Sequence, residues 1–175
     1  MYEYPKNDAI VDAPKKYVQS YFSNFEDALL SDNYKDLNTG YQNYIDMNSF
    51  IDFLILNEFA YNPDAYRLST FMHKERQSKL KMGPIWDFNL GFGNDDRAAF
   101  NNASTWMFNF NNFYSNDGWL INFWWKRLLS DPNFTDRLKT RWASLRSNSL
   151  TENNIYGIID KHITLLRNSG SIEKH

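Results

Sequence analysis

The carboxylates best placed for chemistry lie in one stretch, residues 62–94, NPDAYRLSTFMHKERQSKLKMGPIWDFNLGFGN. Asp64 follows a proline at the end of an apolar run, and Asp87 stands in a loop rich in glycine and aromatic residues. Between them, YRLSTFMHK alternates with β-branched and aromatic residues, ERQS is a polar turn, and KLKMG is a second short strand. The loop entering a two-stranded ribbon and the loop leaving it emerge at the same end, so the pattern brings Asp64 and Asp87 within reach of each other. Two close carboxylates attract a hard cation. Magnesium takes few protein ligands and keeps positions for water and phosphate oxygens, which suits a pair of acids on loops. Each residue also has a plainer reading. An Asp just after a proline often forms a turn through its own backbone. Asp87, read as buried among Trp86, Phe88, Leu90 and Phe92, needs a cation or N–H donors, and Arg67 or a lysine would serve.

Other residues weigh less. His73 is expected to be structural at a strand end, and Lys74, Lys79 and Lys81 to be edge charges that discourage strand pairing. The aromatics of NFWWKR are expected in the core, with a sugar-stacking platform as the alternative. NAS and NFT fit the glycosylation sequon, which has meaning only on a eukaryotic secretory route. The net charge of −2 provides no broad basic field, which argues against nucleic acid as a partner. The absence of cysteine removes disulfides, thiolate catalysis and Cys-ligated zinc together. The residues given contain neither an apolar signal segment nor a run long enough to span a membrane.

The elements that position these residues are mostly helices. Tyr17, Val18, Tyr21, Phe22, Phe25 and Leu29 recur at helical spacing over residues 14–31. DMNSFIDFLILNEFAYN is apolar on nearly every side, with Asn48 or Ser49 as N-cap and Pro63 as terminator, and so belongs inside the core. Residues 83–96 read as a loop, and residues 98–116 as a long ordered loop with at most a short helical turn. Three helices follow: residues 118–130, then a helix capped by Asp131 with Pro132 in its first turn, then one capped by Thr151. The last carries Ile155, Ile158, Ile159, Ile163 and Leu166 on one stripe. The fold class is mainly α with a small β-hairpin, and with 42% hydrophobic and 18% aromatic residues in 175 the core is large. No repeat or linker divides the chain, which reads as a single unit over residues 1–175.

A carboxylate after a buried helix, a polar residue five positions on, a hairpin, and then Asp-Phe-x in a Gly-containing loop resembles the C-lobe of protein kinases. NPDAYRLSTFMHK followed by KLKMGPIWDFNLGFGN is more particular, and is similar to the core of the spore coat protein H (CotH) kinase family. The resemblance implies a kinase-like C-lobe that uses magnesium and ATP to phosphorylate a protein substrate, in an extracytoplasmic or cell-surface setting. It makes Asp64 the group that orients the acceptor hydroxyl and accepts its proton, and Asp87 the principal magnesium ligand. Ser69 takes the position of the kinases' metal-binding Asn, and Asn89 that of a second Asp common in the family, both at the metal and nucleotide. No glycine-rich strand-turn-strand precedes residue 48, so the N-lobe is absent from this sequence and a longer gene product is expected to supply it. A surface binding or adhesion module that keeps the scaffold without turnover is the rival reading.

Overall fold

The computed structural model describes residues 5, 6, 8–96 and 105–170. Its elements are α1 (Asp12–Leu30), α2 (Met47–Ala60), β1 (Met72–His73), β2 (Lys81–Met82), α3 (Phe110–Phe113), α4 (Trp124–Leu129), α5 (Pro132–Ser147) and α6 (Glu152–Asn168). Helix dominates, and the two strands pair antiparallel with Met72 opposite Met82 and His73 opposite Lys81. The fold divides into two compact units, residues 1–135 and 136–175, with the division inside α5.

The first unit is built around α2. Because apolar side chains circle this helix, Phe50, Ile51, Phe53, Leu54 and Ile55 are all buried, as a central helix requires. Its start is fixed by Asp46, not by Asn48 or Ser49: the Asp46 carboxylate accepts the Ser49 N–H at 3.0 Å. Its end precedes Pro63, because Tyr61 turns into the left-handed region (φ 51) and closes the last turn on the Asn57 and Glu58 carbonyls.

Trp125, 1% exposed, fills the centre between Phe50, Phe53 and Tyr66, with ring centroids 5.8, 5.8 and 4.6 Å away. Both tryptophans of NFWWKR are therefore core residues and offer no sugar platform. Arg127 joins α4 to the end of α1: its guanidinium donates to the Leu29 and Ser31 carbonyls and stacks on Tyr34, satisfying helix-end carbonyls with a cation.

The hairpin is shorter than its sequence implies. Residues 66–70 form turns because the Leu68 N–H bonds back to the Asp64 carbonyl and Ser69 takes φ 45. Helix α4 is likewise shorter than residues 118–130, since side chains of Asn111, Asp117 and Asn122 take the main-chain groups of Ile121, Trp119 and Trp124. The turn foreseen in residues 98–116 is present as a 3-10 turn (Met107–Asn109) running into α3, while residues 97–104, with the NAS sequon, lie outside the described residues.

In the second unit α6 starts at Thr151, whose hydroxyl accepts the Asn154 N–H. None of its residues is buried: Ile158 is 57% exposed, and Ile159 and Leu166 are also open. Helix α5 is held at its start by Asp131, which accepts the Asn133 N–H at 3.0 Å and the Tyr41 hydroxyl at 2.8 Å.

Candidate functional site

The site is assembled at the C-terminal end of α2. Asn57 and Asn62, 1% and 2% exposed, form a relay that begins inside the helix and reaches Asp64. Asn57 Nδ2 donates to the Phe53 carbonyl, Asn62 Nδ2 donates to Asn57 Oδ1, and the Asp64 N–H donates to Asn62 Oδ1. Buried amides must find partners, and each here finds one that also fixes the direction of the chain. Asp64 is thus set on a rigid turn that Pro63 continues and that Leu68 closes.

Glu58, in the last turn of α2, ties this turn to a later segment. Its carboxylate accepts the Tyr66 hydroxyl at 2.8 Å and the N–H groups of Met107 and Phe108 at 2.8 and 3.0 Å. Burial pushes the Glu58 carboxyl above the ordinary glutamate range, against the pull of those three donors. Tyr66 is pushed well above the usual phenol range, first by its own burial and then by the neighbouring Glu58 charge, so at neutral pH it stays a donor.

The two loops flanking the hairpin meet as the ribbon requires, through Ser69, whose Oγ donates to Asp87 Oδ2 at 3.3 Å. Both residues adopt positive φ, 45 and 61. Asp64 pairs with Arg67, whose Nη2 lies 2.8 Å from Oδ1. Arg67, which the sequence reading offered as a partner for Asp87, is thus paired with Asp64.

Asp87 is also exposed and not buried among its aromatic neighbours; Trp86 and Phe92 are 63% and 72% exposed. The loop is pinned at its two ends, where the Gly83 N–H bonds Phe71 O and the Phe92 N–H bonds Ala60 O, and its middle stands out into solvent. Phe92 packs edge-on against Phe59 at the second pin. Asn89 is exposed, and its carbonyl accepts the Asn94 side chain at 2.7 Å.

The donor set is made of oxygens. Among the described residues no group of three or more His, Asp or Glu side chains is placed to hold a metal. A hydroxyl and a carboxylate that converge, both open to solvent, fit a magnesium ion that takes most of its ligands from water and phosphate. They do not fit a closed cage of protein ligands.

Two of the hairpin cations are engaged in structure. Lys74 Nζ donates to the Tyr17 hydroxyl and lies over the rings of Tyr17 and Tyr21, and Lys79 Nζ donates to the Gln42 carbonyl. His73 Nδ1 is 3.3 Å from the Gly83 carbonyl. Sequence reasoning missed Asn57, Glu58 and Asn62. A signal was available, since polar residues inside an otherwise apolar helix need partners and NPD sits directly after it.

Comparison with protein families matches the CotH kinase protein family over residues 1–175, the whole chain. The chain belongs to the CotH kinase protein family, and is in that sense kinase-like. No curated protein and no solved structure matches it. Among the described residues no helix is long and apolar enough to cross a membrane.

Proposed function

We propose that this chain is the C-lobe part of an atypical protein kinase that moves phosphate from Mg-ATP to a protein hydroxyl. The observation that carries this reading is the convergence of Ser69 and Asp87 at the open end of the hairpin, beside a turn that fixes Asp64. Asp64 orients the acceptor hydroxyl and takes its proton as the new O–P bond forms and the bond from the γ-phosphorus to the ADP oxygen breaks. Asp87 and Ser69, with Asn89 at the rim, would hold magnesium, which when bound neutralises charge on the phosphate oxygens. Positioning and charge neutralisation provide most of the rate in such transfers. Ser69 in place of an amide and Asn89 in place of a carboxylate leave the protein with few charged ligands, so affinity for the ion should depend on the nucleotide. The family's association with spore coats supports a surface setting and a protein substrate.

The test is intact mass of the full-length gene product and an acceptor extract after incubation with Mg-ATP, wild type beside Asp64→Asn and Asp87→Asn. We expect a phosphate-sized gain on protein that each substitution lowers by at least ~100-fold. Retained transfer in both variants would sink the assignment. A fully folded wild type that gains no mass, with Mg-ATP failing to raise its melting temperature, favours a binding module. That second reading draws on the apolar surface around the site, where Ile85, Trp86 and Phe92 are exposed.

A further inference from the structure

Arg67 makes more polar contacts around the site than a surface ion pair needs. Its side chain is 4% exposed, and its donors are spread over two parts of the chain. Nε donates to the Pro63 carbonyl at 3.0 Å and Nη2 to Asp64 Oδ1 at 2.8 Å, both on the turn that presents Asp64. Nη1 reaches Asp117 Oδ1 at 3.3 Å and the Trp119 carbonyl at 3.4 Å, and the guanidinium lies 4.1 Å from the centre of the Phe110 ring. Phe110, Asp117 and Trp119 all belong to the segment that follows the Asp87 loop.

That segment is itself fixed. Glu58 holds its start through the Met107 and Phe108 N–H groups. Asn111 closes it by donating to the Ile121 carbonyl at 2.8 Å and accepting the Ile121 N–H at 2.9 Å. Asp117 Oδ1, which takes Arg67, also accepts the Trp119 N–H at 2.8 Å, so its position is set by the local backbone. A guanidinium is planar and rigid, so fixing it on Asp117 and Phe110 fixes the direction from which it approaches Asp64.

We propose that Arg67 is a positioning residue for Asp64, and that Asp117 and the 105–123 segment set the geometry with which it acts. This rests on the reading of Asp64 as the group that meets the acceptor hydroxyl. A bridge that serves folding alone would affect stability and leave turnover intact; a positioning bridge affects turnover first, because a carboxylate displaced by a fraction of its length presents its oxygen along the wrong line. Lysine at 67 keeps the charge but is a point donor without the planar face, and it cannot serve Asp64 and Asp117 in the same way.

The experiment uses the full-length gene product with Mg-ATP and an acceptor extract, comparing wild type with Asp64→Asn, Asp117→Asn and Arg67→Lys. Steady-state rates, melting temperature and the side-chain carboxyl ¹³C resonance of Asp64 are followed in parallel. We expect Asp117→Asn and Arg67→Lys to lower kcat by about tenfold or more with KM for ATP unchanged, and the Asp64 resonance to move in both. Asp117, 28% exposed, is the milder site, and it decides the matter where Arg67→Lys does not fold. Wild-type kcat in Asp117→Asn overturns the proposal. Full transfer by Asp64→Asn overturns it differently, by removing the role of the group that Arg67 positions. Where the wild type transfers nothing, only the phosphotransfer reading falls, and an Asp64 resonance unmoved in Asp117→Asn then overturns the positioning as well.

Discussion

Glu58 couples protonation to folding. Burial raises its pKa above the ordinary value of 4.5, so the folded chain keeps a proton that the unfolded chain has released. Between 4.5 and the raised value the folded state binds more protons, and stability declines as pH rises through that window. Urea unfolding of wild type should therefore lose stability with rising pH more steeply than Glu58→Gln does, and parallel slopes would exclude this coupling. The asparagine relay makes a second claim at the same scale. Asn62→Ala leaves Asn57 Oδ1 and the Asp64 N–H without their partner, and should lower the unfolding free energy by about 1–3 kcal/mol. A loss below the error of the denaturation curve would mean that water replaces the amide without cost. The kinase resemblance pointed to Ser69, and its hydroxyl does meet Asp87, whereas the far partner of Arg67 was not legible, because Asp117 is distant in sequence and only the folded segment brings it there.

Elements whose ends carry local chemistry could be read from the sequence, and elements ended by distant contacts could not. The Asp131-Pro132 start of α5 and the Thr151 start of α6 satisfy N–H groups within a few residues, and both stand where the sequence places them. The hairpin shortened through a local turn that its strand-like alternation hides, while α4 shrank in part for the opposite reason. Side chains such as Asn111 take main-chain groups ten positions away, and no local pattern announces that competition. The start of α2 is instructive because several polar residues precede the apolar run and it is Asp46 whose carboxylate takes a first-turn N–H. Asp46→Ala should cost about 1 kcal/mol, while Asn48→Ala, at an exposed position, should change the unfolding midpoint little. Equal effects of the two would show that the cap is shared.

Over the whole molecule, apolar residues do two different jobs. In the first unit they close a core in which Phe50 is fully buried, while in the second unit the α6 stripe lies open. The periodicity of α6 correctly predicts a helix, yet amphipathic spacing alone does not show that the apolar face is covered. Phe50→Ala should cost about 3–5 kcal/mol, through lost transfer energy and the cavity left behind. Ile158→Gln should stay within about 0.5 kcal/mol of wild type, as expected for an exposed position. Chemical denaturation of both variants checks the contrast, and a large loss for Ile158→Gln would mean that the α6 face is covered in solution. The family match extends across both units, residues 1–175, so the open face belongs to the kinase-like chain itself and is not a foreign appendage.

The positive φ angles of Ser69 and Asp87 bear on how this protein can be improved or can drift. A left-handed backbone suits glycine better than serine or aspartate, so the two residues that meet at the hairpin are also positions where the chain gives up some stability. A screen that rewards heat resistance alone would favour glycine at 69 and 87. It would return a hardier protein with the same outline and no side-chain oxygen where the two loops meet.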